Sequence, residues 1–586
     1  MAQLLIVAMV PVDDDELSAS SSVTSGSGLV AQPGDSVVGS DGQPLSSDDA
    51  SLVAGTNGEA APSGSGGAQA LPSGAGIKPA PGVQGLVSGL NAAEEGVWPW
   101  TNPWLLEGDR SKCGPGGQLQ DEVLVFSIPC VPAYTGDNGG ATYSGVTEDE
   151  IRLVMIVPKA NPAIVAALSG VGLWATPEQW DAGGKAFAKF FNEHYNFYGR
   201  RIKAYTHLAE CEGGPFGGGG GSTDLACWRE QARIIQAKYK PFVTFFTSPH
   251  PAEVFDELSR LKILNVGGWL YDAGFSKDRA PYHWDLFTDG SRTAANVANY
   301  WCNRMVGQKA SRAGDPGLKD KVRKLAIVTP EYPFYVSAAK FLAEQVSGGQ
   351  CGAGGDVPKV YQYSQSDLAK AQEQMTLIAT QIKQDQATTV TCLCDLLAPV
   401  YLTSELDNQQ WFPEHLLALQ EGADHDYPAR LYSPRQWDNA FGPSPRPMEI
   451  PKEQQDDYVM WKMAGNTSEP PYVLTVVQMY YHLIAAMLQW AGPNLTPETV
   501  QRGAFSLSQL GGFGGEAPWP GWQGNDPRVQ LWTFGPDDYT ANDDTKEVYF
   551  SSSARSRIDD QPGTYICARD CARTPIAGWS KGAPLQ

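Results

Sequence analysis

Residues 241–266 read PFVTFFTSPHPAEVFDELSRLKILNV. The stretch holds an aromatic and β-branched run (242–246), a turn carrying Thr247, Ser248 and Pro249, an amphipathic run of helical spacing (252–261) and a second apolar run (263–266). Strand, turn, helix and strand in so short a segment make one β–α–β unit, which implies parallel pairing. The pattern extends in both directions. Upstream, 151–157 is apolar and bounded by Pro158, 177–198 has helical spacing (Trp180, Phe187, Phe190, Phe191), 201–205 is a short strand and 223–239 a helix. Downstream, strands at 325–328, 360–363, 388–393 and 430–432 alternate with helices at 294–305, 336–346, 367–384 and 404–420. A long helix over 473–490 and a shorter one near 497–505 follow a loop-rich stretch.

Such alternation predicts an α/β fold of parallel sheets covered by helices on both faces. The two runs separate near residue 288 and rejoin near residue 472. They predict two doubly wound Rossmann-like lobes joined by several crossovers, with one large α/β domain as the competing reading. The expected organisation is a signal remnant and disordered linker at 1–96 and a Cys-containing extension at 97–144. Lobe 1 is expected at 145–290 with 438–515, lobe 2 at 291–437 with 516–550, and a Cys-containing tail at 551–586.

Of the 586 residues, 43 are Lys or Arg and 65 are Asp or Glu, for a net charge of −22. So acidic a surface repels phosphate backbones, and no nucleic-acid partner is expected. Residues 11–93 are rich in Gly, Ser, Ala, Asp and Pro and cannot bury enough apolar surface to offset the entropy of ordering. The apolar run 4–10 has no basic residue before it, so it reads as part of a signal segment that begins upstream. No run reaches the ~20 apolar residues that span a bilayer.

The chain has ten cysteines, and neither of its two clearest pairs, Cys113 with Cys130 and Cys211 with Cys227, has the close two-by-two spacing of a zinc site. Cys113 with Cys130 and Cys211 with Cys227 read as disulfides, Cys302 can pair with Cys351 and Cys567 with Cys571, and Cys392 and Cys394 stay ambiguous. Disulfides persist in oxidising compartments, which predicts an extracytoplasmic protein. Free buried thiols in a cytosolic protein are the alternative.

Three helix starts carry a hydroxyl followed by proline: Thr176-Pro177, Ser248-Pro249 and Thr496-Pro497. Thr176 has Gln179 three residues on, a capping box. Ser248 follows a strand, where an α/β sheet opens its ligand crevice. There Thr247 and Ser248, with the free N–H groups of the next helix, would suit a carboxylate. An ordinary helix cap is the alternative.

Residues 145–153 (GVTEDEIRL) resemble the opening of the leucine/isoleucine/valine-binding protein family, and 136–143 (GDNGGATY) the lead-in of its actinobacterial members. In order, 241–252, 325–341, 471–490 and 529–532 are similar to the family's third strand and ligand loop, the first strand and helix of its second lobe, its returning helix and a late strand. The resemblance implies a type I periplasmic binding protein: two lobes, three crossover segments and a ligand in the cleft between them. Closure of the lobes on the ligand is then read by the membrane permease of an ABC transporter. A monomer without a cofactor is expected. The resemblance implies that Thr247 and Ser248 contact a ligand carboxylate and that Phe334 or Tyr335 approaches from the second lobe. Two departures follow. GGWLY (267–271) stands where the family carries small and hydroxyl residues. SPRQWD (433–438) stands where amino-acid receptors supply an acid for the ligand's ammonium, leaving only Asp438 nearby. With Trp269, Tyr271, Phe334 and Trp437, these suggest a larger or more apolar cleft for an amino-acid-like, amide or other carboxylate-bearing ligand. A sensor or surface protein on the same fold, without transport, is the alternative function.

Gly217–Gly221 lacks the Lys-Ser/Thr of a phosphate loop. Asp424-His425-Asp426 could bind a metal but reads as a solvated loop, and Asp456-Asp457 and Asp543-Asp544 read as exposed charges. No nucleophile elbow or His-Glu-x-x-His helix is present, and no catalytic activity is expected.

Overall fold

The structure, a computed structural model, describes residues 107–117, 119–159, 174–212, 224–247, 251–268, 271–349, 357–364, 368–418, 423–509 and 528–585, with 165, 169 and 351. The expected leader and linker (1–96) lies outside the described residues. Lobe 1 is built on β1 (Glu150–Lys159), β2 (Arg201–Glu212), β3 (Val243–Phe246), β4 (Leu264–Val266) and β5 (His283–Trp284). All are parallel, in the order β2-β1-β3-β4-β5. Helices α1 (Pro177–His194), α2 (Leu225–Tyr239) and α3 (Ala252–Arg260) connect them. From Ile151 to Val157, β1 is buried at all but one position, as a central strand covered on both faces must be.

The chain then enters lobe 2 through α4 (Gly290–Arg304) and repeats the plan. It runs through β6 (Leu325–Pro330), α5 (Pro333–Glu344), β7 (Lys359–Tyr363), α6 (Leu368–Gln384), β8 (Thr389–Cys392), α7 (Ala398–Asn408), β9 (Glu414–Leu416) and β10 (Ala440–Ser444). The order β7-β6-β8-β9-β10 matches that of lobe 1, each lobe having its order reversal between its first and third strands. A second crossing returns to lobe 1 for α8 (Asp456–Met463), α9 (Leu474–Trp490) and α10 (Pro497–Gln509). A third leads to β11 (Asp544–Arg555), β12 (Pro562–Cys567) and β13 (Arg573–Pro575), which extend the lobe 2 sheet antiparallel. The expected pair of doubly wound lobes with three linking segments is therefore present.

Local signals held where chemistry was local. Thr176 and Gln179 form the capping box of α1, and the Thr496 hydroxyl accepts from Thr499 N at the start of α10. All ten cysteines are bridged, in the expected four pairs and as Cys392–Cys394. The extension held by Cys113–Cys130 packs Leu124, Phe126, Ile128 and Val131 into the lobe 1 core beside Phe187, Phe190 and Phe191.

Other expectations are corrected. The helix expected over 404–420 ends at Asn408, because Pro413 cannot continue it, and β9 follows. The strand expected at 430–432 is a turn between two short helices, Asp426–Ala429 and Pro434–Trp437. The lobe boundary expected at 437/438 falls after Ser444, because β10 pairs with β9. Residues 551–586 are no separate tail: β11 runs to Arg555 and carries β12 and β13.

Glu414 sits in β9 with no exposed side-chain surface and receives Arg323 Nε at 2.7 Å and Nη2 at 2.9 Å. Thr389 Oγ1 and Arg312 N donate to the same carboxylate at 3.0 Å each. Removing one charge from such a pair leaves the other buried and uncompensated. Glu414→Gln is expected to lower unfolding free energy by about 3–5 kcal/mol in urea titrations.

Candidate functional site

The three crossings, 285–289, 445–455 and 528–543, meet on one side of the lobes. Asp285 N donates to Tyr539 O at 3.0 Å, Ala541 N donates to Asp285 O at 2.9 Å, and the Thr288 hydroxyl donates to Asn542 O at 2.9 Å. The second crossing is held through its carbonyls: Arg573 donates to Pro445 O at 2.8 Å and Arg446 O at 3.1 Å, and Gln530 Nε2 donates to Pro445 O at 2.8 Å. Arg573 is itself fixed on Asp544 by two bonds of 2.6 Å. Asp543 anchors the third crossing by accepting from Thr533 N and Oγ1.

These segments enclose a cavity of about 250 Å³. Lobe 1 contributes Asp456, Asp457, Tyr472 just before α9, Thr475 and His482 of α9, and Phe126 of the extension; lobe 2 contributes Leu396 and Asp424-His425. Asp456 opens α8, and its carboxylate accepts from Val125 N at 2.7 Å and Phe126 N at 3.1 Å. That contact seats the Phe126 ring 4.5 Å from Trp532 and 5.0 Å from His482. The disulfide-stapled extension thus forms one wall of the cavity.

Several polar atoms here are buried without a partner. Asp457 Oδ2 accepts from Thr475 Oγ1 at 2.8 Å, but Oδ1 makes no hydrogen bond. Asp424 Oδ2 accepts from Ser444 Oγ at 2.6 Å, and its Oδ1 is also unpaired. His482 Nε2, Asn542 Oδ1 and Arg446 Nε complete the set. Asp457, Asp424, Asn542 and His482 are 4%, 5%, 4% and 1% exposed, so solvent does not satisfy them. Burial raises the carboxyls of Asp456 and Glu449 to about 7 and that of Asp457 to about 6, and it raises Asp424 as well. Burial also lowers His482 to about 3 and His425 well below its ordinary value. These residues were the ones read from sequence as solvated: Asp424, His425 and Asp426 are all buried, as are Asp457, Asp543 and Asp544. Among the described residues no cluster of metal-ligating side chains is found.

The described residues among those singled out in sequence lie outside this cavity. Ser248 and Trp269 fall outside the described residues, and α3 begins at Ala252 with Pro251 as its N-cap. The Thr247 hydroxyl turns back to Ile156 O at 3.4 Å. Tyr271 and Phe334 meet across the two lobes, their rings 4.8 Å apart, and Phe334 lies 5.0 Å from Tyr335. Ser337 Oγ donates to Asp272 Oδ1 at 3.1 Å beside them. Trp437 is lobe 2 core, its indole N–H donating to Tyr565 Oη at 2.8 Å. None of the five described residues lines the cavity.

The sequence matches no protein-family model and no curated protein. Its structure is similar to a solute-binding protein of an ABC transporter from Rhodopseudomonas palustris BisB5, in complex with 3,4-dihydroxybenzoic acid (11% identity, 73% of this chain and 98% of that one, TM-score 0.48). It is similar to an ABC transporter substrate-binding protein of Aeropyrum pernix (14% identity, 73% and 96%, TM-score 0.48). It is also similar to the branched-chain amino acid transporter substrate-binding protein LivJ of Streptococcus pneumoniae in complex with isoleucine (10% identity, 72% and 100%, TM-score 0.45).

The raised carboxyls make stability pH-dependent. A folded-state value of about 6 at Asp457, above the ordinary value near 4, means that the folded chain binds more protons than the unfolded chain between those values. Its contribution is most favourable below pH ~4 and is lost as pH rises through 6. His482 acts oppositely, losing its contribution as pH falls below about 6.5. Besides Asp457, the charged and titratable groups lining the same space are Asp424, His425, Arg446, Glu449, Asp456, Tyr472, His482 and Arg528. Asp457→Asn is expected to be more stable than the parent at pH 7.5, on the order of 1–3 kcal/mol. The advantage should shrink as pH is lowered toward 4, read by urea unfolding along a pH series. An advantage independent of pH would contradict this account.

Proposed function

We propose that this chain is an extracytoplasmic solute-binding protein that encloses one small molecule between its lobes, the receptor component of an ABC-type uptake system. The observation that carries the reading is the cavity at the crossings, where both lobes and two of the three linking segments, through Arg446 and Asn542, present polar atoms that are buried yet unpaired. Leaving such atoms unmade costs about 1–3 kcal/mol each, a cost that a ligand supplying the missing hydrogen bonds removes. Walls of Phe126, Phe287, Met448, Tyr472, Met479 and Trp532 suit an apolar body. Five disulfides support an oxidising compartment. Among the described residues no helix is long and apolar enough to cross a membrane.

Ligand enters with the lobes apart, makes contacts to both, and so favours the closed form by its differential affinity. Tyr271 against Phe334 and Ser337 against Asp272 are contacts that only the closed form makes. A permease can then read the closed state.

Two measurements test the reading. A thermal-shift screen of amino acids, amides, amines and aromatic acids should find a ligand that at ~100 times its dissociation constant adds about 2.7 kcal/mol. For that ligand Phe334→Ala should weaken binding about 2- to 10-fold, because an aromatic pair contributes ~0.5–1.5 kcal/mol to closure. Unchanged affinity would remove the Tyr271–Phe334 contact from the mechanism, and a screen without hits would remove the receptor reading.

A further inference from the structure

The cavity has a chemical bias that the receptor reading does not by itself require. Four carboxylates line it (Asp424, Glu449, Asp456, Asp457) against two guanidinium groups (Arg446, Arg528). The guanidinium groups are not available on equal terms. Arg446 Nε lies 4.0 Å from Glu449 Oε1, and its charge is stabilised by Glu449, Asp424 and Asp426 together. Arg528 is held by a neighbouring group. On the acidic side, Asp456 is satisfied by the two extension amides, whereas Asp457 in lobe 1 and Asp424 in lobe 2 each keep one buried oxygen with no donor. A carboxylate oxygen is an acceptor however its neighbours are oriented, so Asp457 and Asp424 each call for an N–H or O–H donor, while Arg446 Nε, unpaired in the second crossing, calls for an acceptor. The surrounding rings, Phe126, Tyr472 and Trp532, offer faces that attract a cation and repel an anion.

We infer that the solute is an organic cation, an ammonium- or guanidinium-bearing molecule with an apolar body, whose N–H groups bridge Asp457 of lobe 1 and Asp424 of lobe 2. The inference rests on the receptor reading and narrows it. Bridging also couples charge to closure: each lobe alone supplies one acceptor without a hydrogen-bond donor, although Asp424 is also stabilised by the charges of Arg446 and Lys546, and the closed cleft delivers both acceptors to one cationic group. A cation would then be retained by the closed form more strongly than a neutral molecule of the same shape.

The test uses the full chain and probes matched in shape: 2-phenylethylamine, 2-phenylethanol and 3-phenylpropionate, with agmatine as a guanidinium probe. Calorimetric titration and thermal shift are expected to show binding of 2-phenylethylamine or agmatine, and at least tenfold weaker binding of the alcohol and the carboxylate. Asp457→Asn and Asp424→Asn, made singly, should each weaken the bound amine by about 10- to 100-fold, the range for losing one charge-assisted hydrogen bond. The ligand-free unfolding temperature of Asp457→Asn should match or exceed the parent's, because the substitution neutralises a buried acid, whereas Asp424→Asn also removes a charge that compensates Arg446 and Lys546 and should lower it. If an Asn variant does not fold, the preference of the parent protein for amine over alcohol decides the matter alone. Binding of the alcohol or the carboxylate in preference to the amine overturns the cationic assignment and leaves the receptor reading standing. Amine binding unaffected in both variants overturns the bridging residues. Failure of these probes and of the whole solute screen removes both readings together.

Discussion

Three times the chain passes between the lobes as irregular backbone, and each passage must find partners for peptide groups that a helix or sheet would otherwise satisfy. The first and third passages satisfy each other, through Asp285, Tyr539, Ala541 and the Thr288 hydroxyl. The second depends on side chains sent from elsewhere, above all Arg573 of β13 and Gln530. Residues near the end of the chain therefore decide where residues 445 and 446 run. The antiparallel strands beyond β10 are in this sense part of the hinge, since β13 pairs with β11 and carries Arg573 to the crossing.

The same constraint builds the site. Holding the three linking segments together leaves space between them and α9, and the walls of that space are set by residues whose main duties are structural. Asp456 caps the extension's amides and thereby positions Phe126. Ser444, the last residue of β10, orients Asp424. What remains is a small set of carboxylate oxygens, desolvated by packing and unpaired. Protein interiors do not tolerate such atoms without return, and local violations of that rule concentrate at functional sites. Raised carboxyl pKa values are the electrostatic face of the same desolvation.

Much of the fold was legible because its signals are short-range. The alternation of apolar strands with amphipathic helices, the capping box at Thr176 and the strand-turn-helix of 241–266 depend on neighbours a few residues apart. The errors share a cause. In EHLLALQ (414–420) the helix-forming composition hid β9, whose Glu414 is tolerated in a strand only because Arg323, Thr389 and Arg312 converge on it. The acidic runs at 424–426, 456–457 and 543–544 look like solvated loops in one dimension, since carboxylates are seldom buried. Nothing near them in sequence announces Ser444, Thr475 or the amides of Val125 and Phe126. Tyr271 and Phe334 form a contact between the lobes apart from the cavity, with Tyr335 beside Phe334.

The sequence by itself determined the class of architecture, the two α/β runs, the helix caps and the export-compatible cysteine pairs. Each of these follows from periodicity, backbone preference or spacing, and all are properties of a chain segment with its immediate neighbours. Only the tertiary structure decided where the crossings lie, that the last strands belong to the second lobe, and which acids are dry. Burial and hydrogen-bond satisfaction here are relations between residues more than a hundred positions apart, such as Asp456 with Phe126 or Arg446 with Arg573. No local pattern encodes such a relation, because the desolvation that defines it exists only once both lobes have folded.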